Sequence, residues 1–170
     1  MACQPPGHPL ARRGPARYRP AMPDLPDMIV RLKDLPDPRP IERRLAKEGY
    51  AVQRATVRHR PGLADFIEKH FNERWALETA VTFSRQPISM FVALAGEEIA
   101  GFAAYDCAYR SYFGPTGVRE ELRGKGIGTV LLLRTLEDMA AQAYKWAIIG
   151  EVEPVAFYEK VCGAVVVPGS

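Results

Sequence analysis

The stretch of this chain with the clearest chemical content is Gly117-Val118-Arg119-Glu120-Glu121-Leu122-Arg123-Gly124-Lys125-Gly126-Ile127-Gly128-Thr129. It joins a segment of strand-like composition to a strongly amphipathic helical one. The first turn of a helix presents N–H groups without intrahelical partners, at the positive end of the dipole. Glycines there let the backbone come close to a bulky anion, and Arg123 and Lys125 add positive charge at the rim. The pattern predicts a phosphate or pyrophosphate cradle. A P-loop is excluded, because four residues do not separate a first Gly from a Gly-Lys-Ser/Thr. A Rossmann dinucleotide loop would want Gly at 129, where Thr stands, and a parallel strand before it rather than a hairpin. Glu151, near the end of the next strand, keeps that reading open on spacing alone.

The elements around the loop follow from hydrophobic periodicity and turn chemistry. Met28 to Leu32 reads as a short strand. Ile41 to Glu48 is a helix stopped by Gly49, and Tyr50 to Val57 alternates as a strand. A helix opening at Pro61 or Gly62 places Leu63, Phe66, Ile67 and His70 on one side. That pattern marks His70 as a core histidine. Glu73 to Phe83 continues helically. Ile88 to Ala95 and Ile99 to Cys107 form a hairpin across Gly96-Glu97. Ser111 to Val118 is a third strand, with Gly114-Pro115 marking a bulge. Thr129 to Tyr144 is a long helix, Trp146 to Ile149 a buried strand, Val155 to Val161 a short helix and Ala164 to Val167 a last strand. A meander followed by strand–helix–strand predicts an α/β fold whose mixed, mostly antiparallel sheet has helices on both faces.

Arg123-x-x-Gly126-x-Gly128 resembles the acetyl-CoA signature of the GNAT superfamily, the Gcn5-related N-acetyltransferases. Downstream, Phe157-Tyr158-Glu159-Lys160-Val161-Cys162-Gly163-Ala164 is similar to that family's tyrosine-containing helix and its following turn. Two motifs in the right order on the right elements are far more specific than either alone. The resemblance runs from Ile88 to Pro168 and more loosely from Tyr50 to Phe83. It departs from the family pattern at Glu120, where Pro is common, at Glu153-Pro154, where Asn is common, and at the additional Cys162.

The resemblance implies direct transfer of an acetyl group from acetyl-CoA to the primary amine of a small molecule, within a ternary complex and without a metal. By family analogy, Gly117, Val118 and Arg119 would hold the pantetheine arm, with the Val118 N–H on the carbonyl oxygen. Arg123, Gly124, Lys125, Gly126, Ile127, Gly128 and Thr129 would hold the pyrophosphate. Tyr158 would protonate the departing thiolate. Glu151 is the first choice of base for the ammonium proton, with Glu153 and Asp106 behind it. Trp75, Tyr105 and Asp106 would line the acceptor pocket, near His70, Tyr109, Arg110 and Tyr112; an amino sugar, an amino acid or a polyamine would suit such a lining. A protein lysine or N-terminus as acceptor, or a non-catalytic acyl-CoA-binding module, are the competing readings.

Bulk properties bound the rest. The 170 residues suit one domain with a sizeable core. The net charge of +3 is too small to argue for nucleic acid as the partner. Charge is unevenly spread: residues 1–60 hold thirteen Lys/Arg against six Asp/Glu, and residues 61–170 ten against fourteen. Ten of the fifteen prolines precede residue 41, so residues 1–27 read as a basic, proline-rich disordered tail before one domain over 28–170. Translation from Met22 or Met28 would remove that tail. No apolar stretch follows Arg12-Arg13 and no run reaches the ~20 apolar residues of a membrane span, so neither a signal peptide nor a membrane association is expected. Cys3, Cys107 and Cys162 have no metal-ligand spacing, which fits reduced thiols and a cytoplasmic protein. A homodimer is compatible with the sequence.

Overall fold

The computed structural model describes residues 25–170. The elements are β1 (Met28–Arg31), α1 (Arg39–Lys47), β2 (Tyr50–Arg54), α2 (Arg60–His70), α3 (Glu73–Thr79), β3 (Met90–Ala95), β4 (Glu98–Tyr105), β5 (Tyr112–Val118), α4 (Ile127–Ala141), β6 (Trp146–Ile149), α5 (Val155–Cys162) and β7 (Val165–Val166). Most of the expected tail lies outside the described residues. Its last residue, Asp27, is bound into the fold: its N–H donates to Ser170 Oγ at 2.9 Å and its Oδ1 accepts the Glu151 N–H at 3.1 Å.

The strands form one mixed α/β sheet in the order β2-β3-β4-β5-β6-β1-β7. Every pairing is antiparallel except β5 with β6. The N-terminal strand β1 therefore enters between two C-terminal strands, which brings Asp27 beside Glu151. No helix among the described residues is long and apolar enough to cross a membrane.

Strand alternation builds two cores, one per sheet face. Phe91, Ala93, Ala103 and Tyr105 point to the face covered by α4 and α5. Met90, Val92, Phe102 and Ala104 point to the opposite face, against Leu63, Phe66 and Ile67 of α2. Helix α4 carries the densest apolar content: Ile127, Val130, Leu131, Leu132, Leu133, Leu136 and Met139 are all buried. Arg54, on the inner face of β2, ties that edge to α4, with both Nη atoms on the Asp138 carboxylate.

Several expectations shift at their boundaries. The strand from Tyr50 stops at Arg54, because Thr56 caps a single 3-10 turn reciprocally with His59. The stretch expected to be helical from Glu73 to Phe83 becomes α3 and a 3-10 turn over Ala80–Ser84. His70 is a correction: it is exposed at the last turn of α2 and touches Phe66 by ring contact, at 4.8 Å between centroids. The apolar stripe ends one turn earlier than its spacing suggested.

Candidate active site: a forked pair of strands

β5 and β6 are paired only at Tyr112↔Ile148 and Phe113↔Ile149. Beyond Phe113 the two strands part, and β5 runs on alone to Val118. The register of β4 with β5 slips by one residue between Ala103↔Thr116 and Tyr105↔Phe113, which places the bulge at Gly114-Pro115 as the sequence suggested. The Arg119 N–H donates to Ala100 O on β4 at 2.9 Å. Alternation then turns the N–H of Val118 away from β4 and into the fork. An extended ligand can add to β5 there as a strand would.

The glycine loop closes the wide end of the fork. A Cβ placed on Gly128 would lie 3.6 Å from Val118 Cγ2 and 3.9 Å from Phe157 Cζ, so the N-terminus of α4 abuts both β5 and α5. The first helical bond of α4 is Val130 N–H to Gly126 O, at 3.1 Å, so the preceding N–H groups of the turn have no intrahelical acceptor. Gly126 has φ +96°, a conformation that a side chain would strain. Its peptide is also held from outside the loop: Arg44 Nη2 of α1 donates to Lys125 O at 2.6 Å. In a planar trans peptide the N–H points opposite to the C=O, so this bond turns the Gly126 N–H towards the side away from α1. The donors and the charge fit a pyrophosphate.

Two expected cofactor residues have other tasks. The Arg119 side chain is mostly buried and pairs with Glu98 at 3.2 Å and Glu121 at 3.4 Å, and its N–H belongs to the sheet, so it fixes the strand end rather than facing the fork. Gly117 is required by packing: a Cβ there would come within 2.3 Å of the Phe71 ring. Arg123 Nε donates to Val118 O at 3.2 Å, and Lys125 Nζ lies 5.7 Å from the centre of the Tyr50 ring.

Tyr158 stands where the fork begins. Its ring meets Phe113 edge-on at 6.4 Å and Phe157 at 5.0 Å. Burial pushes its hydroxyl up to about 12, and the Cys162 thiol adds to the shift. It therefore stays protonated at any physiological pH.

A cavity of about 300 Å³ opens at the same fork, lined by Phe113, Gly114 and Pro115 of β5 and by Gly150 and Glu151 after β6. Arg74, Trp75 and Glu78 of α3 form its second wall, and Asp27, Cys107, Tyr109 and Tyr112 complete it. Arg74 bridges the acids, with Nη2 3.2 Å from Glu151 and Nε 3.6 Å from Glu78. Burial raises the Glu78 carboxyl; Arg74 opposes the shift and the Glu151 charge adds to it. Cys107 is pushed up to about 12, mainly by burial, which disfavours the nucleophilic thiolate.

Of the three expected acceptor residues, only Trp75 is in this cavity. Tyr105 and Asp106 are corrections. Tyr105 falls on the α4 face of β4 and its hydroxyl donates to Asp138 Oδ2 at 2.8 Å. Asp106 is buried and accepts the Ser111 N–H at 2.8 Å and the Tyr144 hydroxyl at 2.6 Å, which pins the β4–β5 loop. Both line a second, polar cavity of about 490 Å³ on the far side of that loop, which no residue of β5, β6 or α5 reaches. Sequence reasoning missed Asp27, Arg74 and Glu78. Helical spacing links Glu78 with Arg74 and Trp75 on one face of α3, whereas nothing local to Asp27 signals that β1 would deliver it here.

A mixed sheet that forks beside a glycine-rich helix N-terminus has the shape to receive an extended ligand with an anionic end. The profile of the Acetyltransferase (GNAT) family matches residues 52–164, and the chain belongs to that family. The fold is similar to that of several solved structures. A GCN5-related glucosamine N-acetyltransferase region of a fungal multi-domain GH3 beta-N-acetylglucosaminidase shares 18% identity at a TM-score of 0.68, covering 84% of this chain and 19% of that one. A GCN5-related N-acetyltransferase from Sphaerobacter thermophilus shares 18% at 0.64, covering 84% and 48%. A GNAT family acetyltransferase from Brucella melitensis, solved with acetyl-CoA, shares 13% at 0.55, covering 71% and 88%. The chain spans under half the length of the first two. No curated protein matches the sequence.

Proposed function

We propose that the protein is an N-acetyltransferase that moves an acetyl group from acetyl-CoA to a primary amine of a small molecule, by direct transfer in a ternary complex. The observation that carries this reading is the meeting of three features at one fork: the free edge of β5, the hydroxyl-bearing ring of Tyr158 and the mouth of the acidic cavity. The glycine loop and the start of α4 would hold the pyrophosphate, and the outward N–H of Val118 would face the carbonyl oxygen as it gains charge.

A free primary amine is mostly protonated near neutral pH. It must lose that proton to attack the thioester carbon. Glu78 and Glu151 both line the cavity; Glu78 is the better base, since it is less exposed and its carboxyl is raised towards the working pH. Glu151, with φ +50° and a more exposed side chain, holds Arg74 in place. When the C–N bond forms and the C–S bond breaks, Tyr158 donates to the sulfur. Its hydroxyl at about 12 lies well above an ordinary thiol near ~8.5, so it stabilises the thiolate as a hydrogen-bond donor rather than by complete transfer. The raised Cys107 thiol argues against an acyl-cysteine route.

A cavity walled by Trp75 and Tyr109 supports a small acceptor over a protein tail, which would need an open groove. Amino sugars belong on the list of acceptors, as does the class named for the fungal relative. The test is release of CoA thiol from acetyl-CoA across a library of small amines and lysine peptides. Transfer to small amines is expected. CoA binding with no transfer to any amine would instead mark an acyl-CoA-binding module.

A further inference from the structure

The cavity at the fork is unbalanced in charge. Asp27, Glu78 and Glu151 face a single cation, Arg74, so its lining carries a net −2 when the carboxyls are ionised. The remaining polar groups do not change this, since Cys107 and Tyr112 are both shifted towards their neutral forms. Arg74 is already shared between Glu151 at 3.2 Å and Glu78 at 3.6 Å. Asp27 has no cationic partner among the described residues; its Oδ1 accepts only the Glu151 N–H. Three aromatic rings, Trp75, Tyr109 and Tyr112, line the same cavity, the last two 5.3 Å apart.

Building on the acetyltransferase reading, we propose that the acceptor is a small dication, a diamine or an amino sugar with two amino groups, whose second ammonium stays protonated against Asp27 and the aromatic rings. The charge balance argues for it at both ends of the reaction. Before transfer, two ammonium groups offset the −2 of the lining. The reacting ammonium then gives its proton to Glu78, leaving the cavity at −1 and the acceptor at +1. As the neutral nitrogen forms the C–N bond and the C–S bond breaks, the second proton of that nitrogen passes to the departing sulfur, which leaves as CoA thiol; the proton on Glu78 returns to solvent. A monoamine would leave one carboxylate uncompensated throughout. An amino acid would add a fourth carboxylate, with only a doubly engaged arginine to receive it. Aromatic faces favour a retained cation for the same electrostatic reason. Asp27 precedes the family-matched residues 52–164. The residues that match the family profile therefore do not include the one that carries this preference.

The experiment compares putrescine, butylamine and γ-aminobutyrate, chains of matched length ending in a second ammonium, a methyl and a carboxylate, with a diaminohexose against glucosamine as the sugar pair. Steady-state kcat/KM is read from CoA thiol release by the full chain. A dication preference of about tenfold or more over the monoamine, with the carboxylate lowest, is expected, and it should shrink as salt is raised. Asp27→Asn should compress the dication-to-monoamine ratio towards one, with a melting shift on adding CoA reporting that the variant is folded. Equal or reversed rates with active wild type overturn this proposal and leave the acetyltransferase reading intact. CoA binding by calorimetry without transfer to any member overturns both.

Discussion

Tyr158 and Glu78 illustrate how one environment sets two proton tasks. Tyr158 is packed between Phe113 and Phe157 and its hydroxyl is pushed up to about 12, so no ionised form competes with its donor role below that pH. Tyr158→Phe keeps the ring packing and removes the donor. We expect kcat to fall about a hundredfold with little change in KM for acetyl-CoA. Full turnover in that variant would remove Tyr158 from the mechanism. Glu78 is the opposite case, a carboxylate whose burial favours holding a proton. As a base it works only when ionised, so kcat/KM for the amine should fall on the acid side as Glu78 protonates. Glu78→Gln should lower the rate at neutral pH and restore much of it at high pH, where the amine deprotonates unaided. Glu151→Gln serves as the comparison: if it loses that acid limb instead, the proton belongs to Glu151.

At the scale of elements, the cofactor loop is held from two sides. β5 and α5 support it through Val118 and Phe157. α1 supports it through Arg44, which lies outside the matched residues and was invisible to motif reasoning, because α1 is 81 residues away in sequence. Without the bond to Lys125 O, the peptide before Gly126 is free to turn, and the Gly126 N–H loses its fixed direction. Arg44→Met keeps much of the side-chain length and removes the donor. KM for acetyl-CoA should rise about fivefold to tenfold, the worth of one charge-assisted hydrogen bond, while kcat at saturation is unchanged. Acetyl-pantetheine lacks the pyrophosphate, so its kcat/KM should be indifferent to the substitution. An equal loss with both donors would mean that Arg44 supports the fold and not the loop.

Seen whole, the molecule was legible where local pattern decides structure and illegible where distant strands meet. The hairpin of β3 and β4, the bulge at Gly114-Pro115 and the helices α4 and α5 follow from alternation, turn residues and the glycine spacing. Tyr105 was misplaced although the signal existed: alternation with Phe102 and Ala104 puts it on the α4 face, opposite Trp75. Asp27 could not be placed at all, since the insertion of β1 between β6 and β7 joins residues more than a hundred positions apart. Burial of titratable groups also bears on the stability of the fold in alkali. Cys107 and Tyr158, on opposite faces of the sheet, are both raised by burial to about 12, from ordinary values of 9.0 and 10.0. Each is neutral when protonated, and the unfolded chain releases its proton first. Their contributions are therefore fully present below pH 9.0 for the thiol and 10.0 for the phenol, and are lost as pH rises through about 12. The urea midpoint should thus hold level to about pH 9 and then fall. Cys107→Ala should make the first part of that decline shallower, where the buried Cys162 thiol also contributes, and leave the later part to Tyr158 and Tyr105, both raised by burial. A midpoint that falls identically in the variant would show that folding does not raise the Cys107 thiol.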